Sequence, residues 1–345
     1  MSYSAPISPD GAQPCLIELA HACGLHISLM DCGATWLSCR VMVGGVEREV
    51  LLGCTHLADY FKQTAYLGAT IGRFANRIAG ARVIREGKIY SLTPNEGENQ
   101  LHGGPQGFDR RRWRIVEQSA EHVVFGIESA DGDQGFPGNL AATVAYRLQD
   151  GARIRIDYTA TVEAPCPVNL TNHAYFNLDG AVTDVRDHRL QIAAQRYLPV
   201  DVQSIPLGAL APVADTGFDF TQTKRIGQDF LRDAQQQLVR GYDHAYLLDE
   251  VCHGMARAAA TLISADGSLA MDLFTTQPAM QLYSGNYLGG VPARSGGVYA
   301  ACAGVALEMQ FLPDSPNHPE WPQPDCWLTQ GKTYQHTTVL AFRNT

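Results

Sequence analysis

The sequence predicts an all-β protein, a large antiparallel β-sandwich, from its short apolar runs and the turns between them. Three pairs of β-type runs flank turns that contain Glu86-Gly87, Asp150-Gly151 and Asp266-Gly267. An acidic residue followed by Gly between such runs predicts a hairpin, because both central positions of a type I′ turn need positive φ. Three hairpins in one chain indicate an antiparallel sheet.

The runs beside these turns are the expected strands. They are residues 83–84 with 89–92, 141–146 with 154–158, and 258–264 with 269–275. Helical periodicity is weak, and only residues 57–63 and 229–238 are candidates for short helices. Because strands do not alternate with helices, a parallel α/β fold is not expected, and the strands must bury their faces against other strands. A sandwich or barrel of this kind can hold a ligand on its concave side or at its end.

Size and composition bound the domain organisation and the partners. The chain has 345 residues, of which 45% are apolar, and an all-β chain of this length can form one domain. No linker or low-complexity segment interrupts it, so a single domain over residues 1–345 is expected. The net charge of -9 lacks the basic footprint of a nucleic-acid-binding protein. No pattern specifies an oligomeric state.

Cysteine usage and the absence of long apolar runs indicate the compartment. The nine cysteines are odd in number and irregularly spaced, which argues against a disulfide framework, and none forms a Cys-x-x-Cys pair. Residues 1–14 lack a basic patch followed by an apolar stretch, and no uncharged apolar run is long enough to cross a bilayer. A cytoplasmic protein without membrane contact is expected.

Ionisable, amide and aromatic side chains concentrate in a few segments, and those types suit a polyhydroxylated ligand. Each sugar hydroxyl needs a donor and an acceptor, and the C–H face of a sugar ring packs on an aromatic ring. The segments are residues 72–78, 99–104, 169–178, 241–244, 277–286 and 307–322. A small-molecule sugar is therefore the expected partner.

These segments, in this order, resemble the aldose 1-epimerase (galactose mutarotase) family, most closely its enterobacterial-type members. The resemblance covers nearly the whole chain and is specific through the combination of its motifs. They are Asn-Gln-Leu-His-Gly-Gly, Thr-Asn-His-x-Tyr-Phe-Asn-Leu, Gly-Tyr-Asp-His and Leu-Pro-Asp-Ser-Pro-Asn-His-Pro-Glu-Trp-Pro. It implies a β-sandwich with an open sugar-binding cleft, and an isomerase that interconverts the α and β anomers of free aldohexoses such as glucose and galactose.

The resemblance also assigns site residues. His173 matches the family's general acid and Glu308 its general base. The remaining matches are substrate-binding positions: Asn76, Arg77, His102, Asp243 and Gln281. Taken alone, the segments around His173 and Glu308 favour a core histidine and a buried ion-pair partner. The other motifs reverse that interpretation.

Acid/base chemistry explains why these residue types are needed. Opening a pyranose removes a proton from the C1 hydroxyl and protonates the ring oxygen, and reclosure after rotation about C1–C2 gives the other anomer. The expectation is an ionised Glu308 and a His173 kept protonated by acidic neighbours, on opposite sides of the C1–O5 bond. Arg77 would support charge on the ring oxygen, and His102 would orient it.

No cofactor or metal is expected. The eleven histidines include no His-x-His and no His-Glu-x-x-His, so a zinc site would need ligands from distant segments. Two alternatives stay open at this point. One is a hexose-6-phosphate 1-epimerase, which needs basic residues that converge on a phosphate. The other is a non-catalytic sugar-binding module, which would not need a matched acid and base.

Neighbouring histidines have structural interpretations. Adjacent residues in a strand point to opposite faces, so His244 is expected to face away from a sugar that Asp243 contacts. His318 lies in a Pro-rich loop with Trp321, and we expect it to order that loop.

Overall fold

Three antiparallel sheets contain most of the strand residues. The computed structural model describes residues 8–180 and 184–345. Residues 1–7, half of the segment considered for a leader, lie outside the described residues. The largest sheet has nine strands. In spatial order they are Arg114–Gln118, His122–Ser129, Leu140–Gln149, Arg153–Val162, Tyr334–Asn344, Leu269–Thr275, Ala260–Ile263, Arg189–Ile192 and Lys224–Arg225.

The other two sheets are smaller. The six-stranded sheet runs Tyr175–Phe176, Val305–Gln310, Ala279–Tyr283, Asp243–Leu247, Arg196–Tyr197 and Ala211–Pro212. The four-stranded sheet runs Leu16–His21, Leu25–Met30, Thr35–Val43 and Val46–Glu49. Four two-stranded pairs complete the described strands: Cys166–Pro167 with Trp327–Leu328, Thr171–Asn172 with Thr70–Ile71, Arg77–Ile78 with Gln100–Leu101, and Arg82–Arg85 with Lys88–Ser91.

Helices are few and short. The α-helices are Leu57–Lys62 and Ala234–Leu238. The 3₁₀ turns are Ala79–Ala81, Phe108–Arg110, Asp133–Gly135, Val185–Asp187, Glu250–Cys252 and Ser315–Asn317. In the part of the chain that the structure describes, no helix has the length and apolar character needed to cross a membrane.

The core lies where the nine-stranded sheet faces the other two sheets. Ile156 and Leu340 of the large sheet meet Leu307 and Met309 of the six-stranded sheet and Trp36 of the four-stranded sheet, all within one buried cluster. Side chains alternate between the two faces of a strand, so the opposite face of the six-stranded sheet is free to form a site. The predicted antiparallel sandwich is confirmed.

All three predicted hairpins are present, but their turns differ. Glu86 and Gly87 both have positive φ, as a type I′ turn requires. In the second hairpin Gln149 pairs with Arg153, and the positive φ values fall on Gly151 and Ala152. The third turn has positive φ at Gly267 but not at Asp266. Because these two loops are longer, Asp150 and Asp266 do not need a left-handed conformation. The positions of the hairpins were therefore predictable from the sequence, but their turn types were not.

A buried arginine anchors the segment that carries two of the predicted site residues. Arg73 is 2% exposed, and its guanidinium donates to the carbonyl oxygens of Ser129, Ala130 and Gly138 at 2.7–2.8 Å. It also donates to the Ser129 hydroxyl at 2.8 Å. The side chain therefore points into the loop 129–138 and not into a ligand site. Its role is to fix residues 72–77 against that loop.

We expect Arg73→Met to lower the free energy of unfolding by about 2–4 kcal/mol, because several buried carbonyl groups would lose their donor together. Urea denaturation followed by circular dichroism measures this change. Arg225→Met is the matched control, since the Arg225 side chain is 62% exposed and lies 3.5 Å from Asp187. Its effect should stay below about 1 kcal/mol. Equal losses in the two variants would contradict the anchoring role.

Candidate active site

Strand alternation places Glu308 on the outer face of the six-stranded sheet. Its neighbours Leu307 and Met309 point into the core, so Glu308 points the other way. The cross-strand register then aligns Glu308 and its neighbours with residues of the adjacent strands. Glu308 pairs with Gln281, and the next row joins Tyr175, Ala306, Tyr283 and Asp243. Residues from four separated segments thus share one surface.

His173 reaches this surface from the short link between two strands. Its backbone N–H donates to Ala69 O and its carbonyl accepts from Gly68 N–H, both at 2.9 Å. The imidazole Nε2 lies 3.6 Å from Glu308 Oε1. This contact is too short for a sugar bond to fit between the two groups. The expectation that they flank the C1–O5 bond from opposite sides is therefore wrong, and they form a single adjacent pair.

Asn76 and His102 hold each other in left-handed conformations, with φ of +71° and +53°. His102 N–H donates to Asn76 O at 3.2 Å, and Asn76 N–H donates to His102 Nδ1 at 3.1 Å. Asn and His tolerate positive φ better than most residues, and such strain collects at functional sites. Because Nδ1 accepts, the neutral imidazole carries its proton on Nε2. His102 is therefore a fixed hydrogen-bond donor.

The glycine after His102 permits the tight approach of this loop. Gly103 has φ of +86°, and a Cβ built there would lie 2.0 Å from the Gly72 carbonyl oxygen. Any other residue would push the loop away from the segment that carries Asn76 and Arg77. The Asn-Gln-Leu-His-Gly-Gly motif thus contributes both His102 and the glycine that lets the His102 loop pack closely against Gly72.

Two carboxylates surround the Arg77 guanidinium. Arg77 Nε and Nη2 donate to the two oxygens of Glu96 at 2.6 and 2.9 Å. Nη1 lies 3.8 Å from Asp243 Oδ2. Gln281 Nε2 donates to the other oxygen of Asp243 at 2.7 Å. Burial works against the Arg77 charge, but Asp243 and Glu96 more than offset it, and the pKa of Arg77 is raised.

One open cleft of about 500 Å³ gathers six of the seven predicted site residues. They are Asn76, Arg77, His102, His173, Asp243 and Glu308. The seventh, Gln281, is buried behind Asp243 and supports it through the hydrogen bond described above. A hexose fills such a cleft only in part, and the remaining space is open to solvent.

Several cleft residues were not among the predicted site residues, although Tyr175 and Tyr283 lie in the predicted segments 169–178 and 277–286. Tyr66 lies edge-on to His102, with ring centroids 4.6 Å apart, and stacks on His173 at 5.8 Å. Tyr175 and Tyr283 also contact the His173 ring. Aromatic walls suit the C–H face of a sugar. Glu96 carried only a weak signal, a charge in the turn just before the Asn99–Gly104 motif.

Burial sets the protonation of the central pair. It raises the pKa of Glu308 to about 8, with Asp243 adding to the rise and Arg77 opposing it. It lowers the pKa of His173 to about 4. At neutral pH the pair therefore holds one proton, on Glu308, and no net charge. These directions are opposite to those that would give the expected ionised Glu308 beside a protonated His173, because burial penalises both charges.

His102, His173 and Glu308 could in principle hold a metal, since each has a ligand atom within 4.8 Å of the others. The hydrogen-bonding pattern disfavours it. A metal would need a lone pair, but His102 presents N–H because its Nδ1 accepts from Asn76. Burial also raises the pKa of Glu308 and so favours its protonated form, which is a poor metal ligand. The trio offers donors and acceptors suited to hydroxyl groups.

The two neighbouring histidines take structural positions. His244 is fully buried on the core face among Tyr197, Phe218 and Gln235, opposite to Asp243. His318 stacks on Trp321, with centroids 4.1 Å apart, and lies 3.3 Å from Asp314. Both expectations are confirmed.

Comparison with known proteins identifies the family of the chain. A family model described as aldose 1-epimerase matches residues 15–341. The chain is 54% identical over 343 residues to the aldose 1-epimerase of Escherichia coli K12, covering 99% of each chain. It is 38% identical to the galactose mutarotase of Rattus norvegicus, covering 92% and 91%. A solved aldose epimerase homologue from C. elegans has a TM-score of 0.88 at 31% identity, covering 96% and 99%. The chain belongs to the aldose 1-epimerase family.

Proposed function

We propose that this protein interconverts the α and β anomers of free aldohexoses, glucose and galactose among them, with Glu308 as the base and His173 as the acid. The observation that carries the assignment is the adjacent pair of His173 Nε2 and Glu308 Oε1, which lie 3.6 Å apart in the cleft. Family membership supports the reaction class. The roles of individual residues are carried over from the family resemblance, and the geometry of the cleft is consistent with them.

The ring-opening step can be written with all protons balanced. The shared proton first moves from Glu308 to His173. The Glu308 carboxylate then takes the proton of the C1 hydroxyl, the C1–O5 bond breaks as a carbonyl forms at C1, and His173 gives its proton to O5. Because O1 and O5 are bonded to the same carbon, two adjacent groups reach both. Rotation about C1–C2 and the reverse transfers give the other anomer.

Ring opening returns the pair to the neutral state that burial favours. A protonated Glu308 and a neutral His173 accompany the open-chain aldehyde, whereas the closed sugar requires the ion pair before it reacts. The neutral pair therefore stabilises the intermediate relative to a site that kept both groups charged. Arg77 would support charge on the ring oxygen, and the fixed His102 N–H would orient it. Asp243 and Asn76 would bind hydroxyl groups, with Gln281 positioning Asp243.

The hexose-6-phosphate alternative is not favoured. Arg77 is the single Lys or Arg among the described residues that line the cleft, and Glu96 already engages it. The Arg110–Arg112 run does not supply further basic groups for a phosphate, because Arg110 and Arg112 are engaged elsewhere. Arg110 donates to the carbonyls of Phe61 and Gln63, and Arg112 pairs with Asp10 and Asp31. A phosphate dianion would lack convergent donors here.

We infer that the protein works in the reducing cytoplasm. All nine cysteines are free thiols, and seven of them are buried. Nothing in their placement requires an oxidising compartment, and thiols persist where cellular reductants maintain them.

Glu308→Gln should lower kcat for galactose by about 10²–10⁴-fold, because an amide cannot accept the C1 proton. Stability should change little, since Gln resembles the protonated carboxyl that the buried site holds. Polarimetry on fresh α-D-galactose measures the rate. Met309→Leu is the matched control, as the next residue faces the core and a volume-conserving change there should keep activity. Near wild-type turnover in Glu308→Gln would refute its role.

His173→Asn and Asp243→Ala should separate catalysis from binding. Donation to the ring oxygen matters most in the transition state, so His173→Asn should lower kcat by about 10²-fold or more. Asp243→Ala should chiefly raise KM, by about tenfold, because its hydroxyl contacts exist throughout the reaction. Steady-state kinetics in a coupled assay with a β-specific sugar dehydrogenase resolves the two. The reverse pattern would overturn this division of roles.

The pH dependence of kcat/KM should be bell-shaped, because the reaction needs one proton on the pair. Activity should fall below about pH 4 as a second proton binds at His173, and above about pH 8 as Glu308 loses its proton. The ion pair and the neutral pair hold the same number of protons, so both forms give this profile. Residual activity of Glu308→Gln should lack the basic limb, and that of His173→Asn the acidic limb. If Glu308→Gln instead lacked the acidic limb and His173→Asn the basic limb, burial would not set the pKa values of the pair.

A further inference from the structure

Glu96 has no place in the motifs, yet it makes a bidentate contact with Arg77 in the cleft. Its two carboxylate oxygens accept from Arg77 Nε and Nη2 at 2.6 and 2.9 Å, a bidentate pair. Two parallel charge-assisted bonds fix the plane of a guanidinium as well as its position. The remaining nitrogen, Nη1, is left facing Asp243 and the cleft.

The Arg77 guanidinium therefore sits between two competing carboxylates and is bound by one of them. The gap of 3.8 Å between Arg77 Nη1 and Asp243 Oδ2 is beyond hydrogen-bond distance. Gln281 occupies only Oδ1 of Asp243, so Oδ2 keeps its acceptor capacity. Arg77 Nη1 and Asp243 Oδ2 are thus a donor and an acceptor that are not hydrogen-bonded to each other, on two residues that both line the cleft.

We propose that Glu96 is a positioning residue that holds Arg77 away from Asp243 and so keeps both groups available to sugar hydroxyls. This inference rests on the proposed function and deepens its account of substrate binding. Without the Glu96 carboxylate, the guanidinium would turn toward the nearest remaining anion, which is Asp243. In a direct Arg77–Asp243 hydrogen bond, the donor and the acceptor would be occupied by each other. A sugar would have to break this bond before it could bind to either group.

The backbone makes Glu96 a rigid support. Glu96 N–H donates to Asn99 O at 3.1 Å, and Asn99 N–H donates to Glu96 O at 3.0 Å. Asn99 Oδ1 in turn accepts from Gly80 N–H at 2.9 Å, close to the strand that carries Arg77. The turn that carries Glu96 is thereby tied to the segment that follows the Arg77 strand, so the pairing of carboxylate and guanidinium costs little further ordering.

Glu96→Gln tests the proposal, because it keeps the shape of the side chain and removes its charge. KM for galactose should rise about tenfold, the cost of opening one charge-assisted pair, while kcat changes less than about threefold. Glu96→Asp retains the charge with a shorter reach and should recover part of this loss. Glu98→Gln is the matched control, since Glu98 is exposed in the same turn and lines a different surface cleft, so its KM should be unchanged.

A double-mutant comparison shows whether Glu96 acts through Arg77. In an Arg77→Gln background, Glu96→Gln should have no further effect on KM beyond about twofold. Additive effects, or a wild-type KM in Glu96→Gln, would overturn the proposal. Thermal unfolding of each variant reports whether the fold is retained.

Calorimetric titration with galactose separates this inference from the proposed function. The dissociation constant of Glu96→Gln should rise by the same factor as KM, whether or not the protein turns sugar over. A wild-type protein that binds galactose but does not interconvert its anomers would refute the proposed reaction alone. An unchanged dissociation constant in Glu96→Gln would refute the role of Glu96 alone.

Discussion

The site depends on one constraint, the alternation of side chains along a strand that is covered on both faces. All six residues of Val305–Gln310 are buried. Leu307 and Met309 pack into the core, so Glu308 must face the opposite surface. A shift of register by one residue would exchange these faces and place a carboxyl group among apolar side chains. The free energy of core packing therefore holds Glu308 in the cleft, and cross-strand register brings Gln281 beside it.

Burial gives the acid/base pair its properties. A carboxyl and an imidazole with unperturbed pKa values would both be mostly charged between about pH 4.3 and about pH 6.5. Removal from water disfavours both charges, so the proton stays on Glu308 and His173 is neutral. The permanent charge of Arg77 is held differently, by the carboxylates of Glu96 and Asp243. The cleft thus combines a neutral pair for chemistry with a compensated ionic group for recognition.

Much of the fold was predictable because its signals are local. Hairpin turns depend on a few residues with positive φ, and the three hairpins were found where Gly-containing turns interrupt β-type runs. The helix predicted over residues 57–63 is present as Leu57–Lys62, whereas the one predicted from Asp229 begins only at Ala234. Turn types were less predictable, because loop length and strand register decide which residue takes the left-handed conformation.

The antiparallel fold, the family resemblance and the group of polar residues that meet in the cleft were predictable from the amino-acid sequence, because turn chemistry, strand periodicity and motifs depend on residues that are close in the chain. The tertiary structure decided how those residues act. It placed His173 against Glu308, turned Gln281 behind Asp243 and joined Glu96 to Arg77. It also reversed the expected protonation of the pair. Desolvation and ion pairing depend on which distant segments pack together, and that packing exists only in the folded chain.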